Sequence, residues 1–121
     1  LRIVRESLAP DGLLYLSIPN VANVTVRLAL LLGRFDYADR GILDRTHLRF
    51  YTFKTIREEL ESEGFEIIAR RASSVPVRLV VGKSVPEIPL RIGEKLLHWT
   101  TQAWRTLLAY QVILVARPRP R

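Results

Sequence analysis

The chain has 121 residues, 48% of them hydrophobic, with six glycines and seven prolines, which indicates one folded domain rather than a disordered segment. It has no cysteine, which excludes a thiolate nucleophile, a cysteine zinc site and disulfides, so the cytoplasm is the expected compartment. The net charge of +7 favours an anionic partner, but the excess is spread along the chain and no nucleic-acid-binding motif or basic stripe is present.

The chain opens on a helix. Leu1, Val4 and Leu8 share one helical face and no capping residue precedes them, so we expect the chain to be the later part of a longer domain. A turn with the sequence APDG then leads into residues 13–18, which are apolar or aromatic on both faces apart from one serine. Such a run predicts a strand covered on both sides, as in a parallel sheet.

The next element is a short second helix. Pro19 ends the strand, and the side chain of Asn20 is expected to cap the helix that follows. The helix is predicted over residues 22–32 and ends at Gly33. The β-branched residues 24–26 keep a strand open as the alternative for this segment.

A long connection follows over residues 34–51 and shows no clear period. At about 18 residues it is long for a connection inside a compact domain, and such segments are typical of lids and binding loops. Its second half reads RGILDRTHLRFY and concentrates arginines, aromatics and a histidine. We therefore treat residues 34–51 as the candidate substrate-side loop.

The clearest helix in the chain starts after this loop. Thr52 is expected to cap it, Phe53, Ile56 and Leu60 share its apolar face, and Gly64 ends it. Pairs of opposite charge four residues apart occupy its other face.

The last third of the chain predicts a strand, a helix and a strand. Residues 65–75 form the first strand, and a proline-punctuated loop leads to a helix with Pro89 in its first turn and helical spacing as far as Leu107. Both tryptophans are expected to anchor this helix by packing. A final strand is closed by Pro118, and the basic tail 117–121 is expected to be solvated. The element order predicts an α/β chain.

Several kinds of site are absent from the sequence. The six glycines are widely spaced, so neither a GxGxxG nor a GxxxxGK[ST] phosphate-binding turn can be written. No GxSxG motif presents a nucleophilic serine. His47 and His98 lie far apart in different kinds of segment, so no metal site is expected.

Two stretches resemble a known family. The sequences LAPDGLLYLSIPN and GRFDYADRGILDRTHLRFYTFKTIREELESEGFEI resemble the C-terminal half of class I S-adenosylmethionine-dependent methyltransferases, in the subgroup of small-molecule and glycan-modifying enzymes. In that subgroup an L-x-P-G-G turn feeds the fifth strand, which ends in PN, and a G-I-L-D-x-x-H-x-R-x-F segment and a helix ending in GF follow. Asp11 replaces one glycine of the turn. The resemblance covers residues 1–68 and is weak over 75–107.

The resemblance implies a partial Rossmann-like class I methyltransferase fold. The chain would supply the last three strands of a seven-stranded sheet, with the final strand inserted antiparallel between its neighbours, and with flanking helices. The first four strands and the glycine-rich turn would precede it, so most of the S-adenosylmethionine site would lie outside this chain. The parent enzyme would methylate oxygen or nitrogen of a small molecule or glycan, and this piece alone would be inactive.

Ligands in open α/β sheets bind beyond the carboxyl ends of the strands, which places Asn20 and the 34–51 loop on the expected substrate side. His47 is the candidate catalytic base, since a histidine side chain can take a proton from a hydroxyl or amine. Arg49 is expected to meet an anionic substrate and Tyr37 to line the site. The alternative roles are structural: His47 organises the loop and Asn20 caps a helix.

A second reading of the chain is a non-catalytic interaction module. An exposed sheet edge and the long tryptophan-bearing helix would then serve self-association or a partner, and a homodimer through that edge is expected. A third reading, nucleic-acid binding, rests on charge alone, and we expect no specific nucleic acid as partner. The longest early apolar run, LALLLG, is far too short to span a bilayer.

Overall fold

The computed structural model describes residues 1–77 and 86–120. It contains five helices and three strands in this part of the chain: α1 Arg2–Ser7, β1 Leu14–Pro19, α2 Val24–Leu31, α3 Phe53–Ser62, β2 Phe65–Ser73, α4 Glu87–Ala103, α5 Arg105–Leu108 and β3 Gln111–Pro118. The mixed α/β class expected from the sequence is confirmed. The predicted proline-punctuated loop falls partly on residues 78–85, which lie outside the described residues.

The three strands form one open sheet in the order β1-β3-β2. Strand β3 is antiparallel to both neighbours, with Leu114 opposite Leu16 of β1 and Arg70 of β2. Strands β1 and β2 therefore run parallel to each other on either side of it. The final strand thus lies between its neighbours and antiparallel to them, as expected.

The core lies on one face of this sheet. Strand β3 contributes Val112, Leu114 and Ala116, and α3 packs Ile56 and Leu60 against them. Alternation along β3 sends every second side chain inward, and the apolar spacing of α3 matches that face. Helix α3 begins as predicted, with a reciprocal capping box that Thr52 forms with its third helical residue.

The other face of the sheet is open. The side chain of Tyr15 on that face is 70% exposed. The prediction that the first strand is covered on both sides is therefore wrong for this chain, because the described helices do not cover Tyr15. The outer edge of β1 has no strand partner among residues 1–77 and 86–120.

Helix α2 differs from its predicted bounds. It starts at Val24, and its cap is Asn23 rather than Asn20, since the side-chain oxygen of Asn23 accepts from the backbone N–H of Thr25 at 3.0 Å. The Asn20 oxygen instead accepts from the N–H of Ala22. Asn20 therefore forms a turn ahead of the helix and does not cap it.

The last helix is interrupted. Trp104, with φ −126° and ψ 60°, ends α4 and separates it from α5, so a single helix through Leu107 is wrong. The two tryptophans are also not packing anchors, because Trp99 and Trp104 are largely exposed. Strand β3 continues to Pro118, and the N–H of Arg119 donates to the carbonyl of Gly64, so the solvated tail starts later than predicted.

None of the helices in the described ranges combines the length and the hydrophobicity that crossing a bilayer requires.

Candidate functional site

The 34–51 loop lies at the carboxyl end of β1. The loop leaves from the end of α2, and its last residue, Tyr51, forms an isolated parallel bridge with Asn20. The backbone N–H of Val21 donates to the carbonyl of Tyr51 at 3.0 Å. The loop and Asn20 are therefore neighbours at the carboxyl end of β1, and ligands in open α/β folds bind beyond the carboxyl ends of the strands. A role in binding stays a prediction.

The first half of the loop is folded on itself by backbone hydrogen bonds. The N–H of Ala38 donates to Leu43 at 2.9 Å, and the N–H of Arg45 donates to Ala38 at 3.0 Å. Ile42 is buried and anchors this turn. Gly41 has φ 100°, a conformation that favours glycine. These contacts give the loop a defined conformation.

A turn at Asp44 sets the position of His47. The Asp44 carboxylate accepts from the backbone N–H of Thr46 at 2.8 Å and from its hydroxyl at 2.7 Å. These two bonds, the backbone one first, lower the pKa of Asp44. The backbone N–H of His47 then donates to the carbonyl of Asp44 at 3.0 Å. Asp44 thus organises the turn on which the histidine sits.

The imidazole of His47 carries an unsatisfied polar atom. Its Nδ1 is buried and makes no hydrogen bond to any described residue. The ring lies edge-on to Phe50, with 6.5 Å between the ring centroids. A buried polar atom left without a partner costs about 1–3 kcal/mol. Among the described loop residues, His47 is the one whose side chain has a buried nitrogen without a hydrogen bond.

Three aromatic rings form a cluster beside the histidine. Phe35 lies 5.8 Å from Tyr37 and 5.9 Å from Phe50, in edge-to-face geometry, and Tyr37 lies 6.1 Å from Phe50. The rings of Tyr37 and His47 therefore both lie close to the ring of Phe50. Tyr37 remains more than half exposed. Phe35 was missed at the sequence level, although an aromatic two residues before Tyr37 was a usable signal.

Arg49 is held at one end by α3. Its guanidinium lies 3.4 Å from the Glu59 carboxylate and stays mostly exposed. Burial raises the pKa of the Tyr51 phenol, and its interaction with Glu59 acts in the same direction. A hydrogen bond with Tyr51 raises the pKa of the Arg49 guanidinium. Arg49 is thus held by Glu59, while its guanidinium remains accessible to an anionic group.

Asn20 is completely buried, and the protein satisfies its side chain. Its amide donates to the carbonyl of Ala109 at 3.0 Å and to that of Thr106 at 3.3 Å. Asn23, which the sequence analysis did not select, donates to Ala109 at 2.9 Å. The observed role of Asn20 is to fix the end of β1 against the start of β3. A substrate contact for Asn20 stays a prediction.

Two cavities lie away from these residues. One of about 460 Å³ is at the opposite end of the sheet, and Arg5, Leu8 and Pro118 are among the residues that line it. A second, of about 280 Å³, is strongly basic and is lined by Phe53, Lys54, Arg57, Arg70, Arg105, Thr106 and Leu114. Thr106 lines this basic cavity, and its backbone carbonyl accepts a hydrogen bond from the side chain of Asn20. This hydrogen bond connects the wall of the cavity to the carboxyl end of β1.

Metal ligands do not cluster in the described part of the chain. No group of three or more His, Asp or Glu side chains there is placed to hold a metal ion. A glycine-rich turn for S-adenosylmethionine is likewise absent from the 121-residue sequence.

Comparison with known proteins does not identify a family. No protein-family model matches the chain, and no curated protein matches it at a significant level.

Proposed function

We propose that this chain is the substrate-side part of a class I S-adenosylmethionine-dependent methyltransferase domain with a Rossmann-like fold. The observation that carries the proposal is the combination of topology and motif. An antiparallel last strand lies between two parallel strands. The segment GILDRTHLRFY, in which Tyr51 stands where the family motif G-I-L-D-x-x-H-x-R-x-F has phenylalanine, lies at the carboxyl end of the first of them. Methyl transfer to oxygen or nitrogen of a small molecule or glycan is the reaction.

The open surfaces of the sheet support this proposal. In such a domain the fourth strand would pair with the outer edge of β1, which has no partner among the described residues. Further helices would cover the face that carries Tyr15, which is largely exposed here. Exposed apolar surface next to an unpaired strand edge is costly in water and calls for such a cover.

The residues of the loop would act on the methyl acceptor. S-adenosylmethionine, when bound, supplies an activated methyl group on a sulfonium. His47 would take the proton that the acceptor hydroxyl or amine loses. The ring of Tyr37, packed on Phe50, would form the wall that orients the acceptor and excludes water. Arg49, whose guanidinium stays mostly exposed beside Glu59, favours an acceptor that carries a negative charge.

The second candidate function is a non-catalytic interaction module. The outer edge of β1 favours it for the 121-residue chain taken alone, since this edge has no strand partner within residues 1–77 and 86–120 and offers backbone donors and acceptors to a second strand. Light scattering tests this reading. If the chain forms a dimer and Tyr15→Lys on the open face weakens that dimer, self-association through this surface is supported. A monodisperse monomer rejects this reading.

A calorimetric titration with S-adenosylhomocysteine separates the two functions. The ligand is titrated into the longest natural chain that contains this segment, with the 121-residue chain in parallel. Binding to the long chain alone is the expected result, because the glycine-rich half of the site is not in these 121 residues. Absence of binding to both chains would reject the methyltransferase and leave the interaction module.

A further inference from the structure

Helix α4 turns an apolar stripe toward solvent. Ile88, Ile92, Leu96 and Trp99 follow each other at intervals of four, four and three residues, so they share one face of the helix. Their exposed fractions are 75%, 64%, 65% and 74%. Four large apolar side chains in line, each mostly in water, are unusual for a surface helix, whose apolar face normally meets the core.

A different face of α4 is the one that docks on the protein. Leu90 and Leu97 are partly buried, and Thr101, one turn beyond Leu97, is completely buried. The amide of Gln102 donates to the carbonyl of Ala72 at the end of β2, at 2.8 Å. The helix is thus fixed through these contacts. The stripe is a second apolar face that the described residues leave uncovered.

Basic side chains border the stripe. Arg91 and Lys95 line a surface depression together with Ile88 and Ile92. The same two cations line a neighbouring depression with Trp99, His98 and Glu94. Long basic side chains can lay their apolar stems along such a stripe and extend their charged ends to anions at its border.

We propose that the face of α4 formed by Ile88, Ile92, Leu96 and Trp99, with Arg91 and Lys95 at its border, binds the surface of an anionic membrane. An amphipathic helix with aromatic and aliphatic residues on one side and cations beside them lies in the bilayer interface, its apolar face at the boundary of headgroups and acyl chains. Arg91 and Lys95 then reach lipid phosphates. Trp99 suits the interface, since its ring is apolar and its N–H needs a polar partner.

A second copy of the chain fits this face less well. Stable protein interfaces bury on the order of 800 Å² per partner, which four side chains in a single row do not supply. Pairing two stripes would also bring the Arg91 and Lys95 borders of both copies close together, and juxtaposed like charges oppose association. A lipid surface meets neither objection because it is continuous and carries the opposite charge. This inference does not depend on the methyltransferase proposal.

Vesicle binding of the 121-residue chain tests the proposal. Trp104→Phe leaves Trp99 as the single tryptophan. With vesicles of phosphatidylcholine and phosphatidylglycerol, we expect the Trp99 emission to shift to the blue and the protein to sediment with the vesicles. Phosphatidylcholine vesicles alone should bind it more weakly, and added salt should weaken binding to the anionic vesicles.

Paired variants locate the binding face. Ile92→Ser with Leu96→Ser should weaken vesicle binding about a hundredfold, since two large apolar side chains no longer leave water. Arg91→Gln with Lys95→Gln should weaken binding to anionic vesicles about thirtyfold. The matched control is Leu31→Ser with Leu32→Ser, two leucines at the end of α2 that are even more exposed than Ile92 and Leu96, and it should leave binding unchanged.

Three results would overturn the proposal. The first is no emission shift with anionic vesicles. The second is equal loss of binding in the α2 control. The third is a blue shift without vesicles that grows with protein concentration and disappears in the Ile92→Ser, Leu96→Ser variant, which would assign the face to a second copy.

Discussion

Asn20 and Asn23 share one hydrogen-bond acceptor, the carbonyl of Ala109, at 3.0 and 2.9 Å. Both side chains are buried, and together they attach the segment after β1 to the residues just before β3. The carboxyl end of β1 and the start of α2 are fixed by this pair.

Asn23→Ala should destabilise the fold by about 2 kcal/mol or more. The variant removes the helix cap, which is worth about 1 kcal/mol, and leaves the buried Ala109 carbonyl with one donor fewer. Urea unfolding followed by circular dichroism measures the change. Ser17→Ala, an exposed strand position, is the control and should stay within about 0.5 kcal/mol. Equal stability of the two variants would show that the shared acceptor contributes nothing.

A pair of leucine truncations tests the location of the core. Leu60 of α3 is completely buried and Leu48 of the loop is 98% exposed. Leu60→Ala should cost about 2–5 kcal/mol of unfolding free energy because it leaves a cavity, and Leu48→Ala should cost less than about 0.5 kcal/mol. Similar losses for both would mean that α3 does not pack on β3 as described.

Asp44 should make stability depend on acidity. Hydrogen bonds from Thr46 lower its pKa below 3.8 in the folded chain, so the unfolded state takes up this proton first as the pH falls. The resulting stabilisation is present above the unfolded pKa and is lost as the pH falls through the folded pKa. Carboxyl NMR titration should show the Asp44 pKa rising part of the way to its ordinary value in Thr46→Val, which keeps the backbone donor. An unchanged pKa would reject this cause.

His47→Ala should lower methyl transfer about 100-fold or more in the longest natural chain, since a positioned base contributes that much. The assay supplies a labelled methyl donor and a pool of cellular small molecules as acceptors. Affinity for S-adenosylhomocysteine should stay the same because the base acts on the acceptor. Arg45→Ala is the matched control: Arg45 is in the same loop and pairs with Asp39 at 3.1 Å. Undiminished transfer by His47→Ala would leave the histidine with a structural role.

The parts of the fold that local patterns determine were predictable from the sequence. Helix α3 has a strong apolar period and a capping threonine, and both its start and its end at Gly64 agree with the structure. The bounds of α2 were less accurate because the decisive contact is distant. Asn20 turns inward to meet Ala109, which is 89 residues away, and no local pattern reveals that partner.

The candidate site was predictable as a location but not as a set of contacts. Unusual length and composition marked the 34–51 loop, and the structure places it beside Asn20. The ion pair between Arg49 and Glu59 joins the loop to α3. No periodic pattern in the sequence connects these two positions, so the contact could not be predicted. The exposure of the apolar stripe on α4 could not be predicted from the sequence either. Periodicity identifies an apolar face of a helix but does not show whether another element packs on it.

A crystal structure of the longest natural chain with S-adenosylhomocysteine bound tests the central claim most directly. We predict that the sulfur of the ligand lies at the carboxyl end of β1 and faces the loop that carries His47 and Tyr37. We also predict a further strand paired with the outer edge of β1. A ligand bound at the opposite end of the sheet, in the cavity beside Arg5 and Pro118, would contradict the assignment of the 34–51 loop to the substrate side.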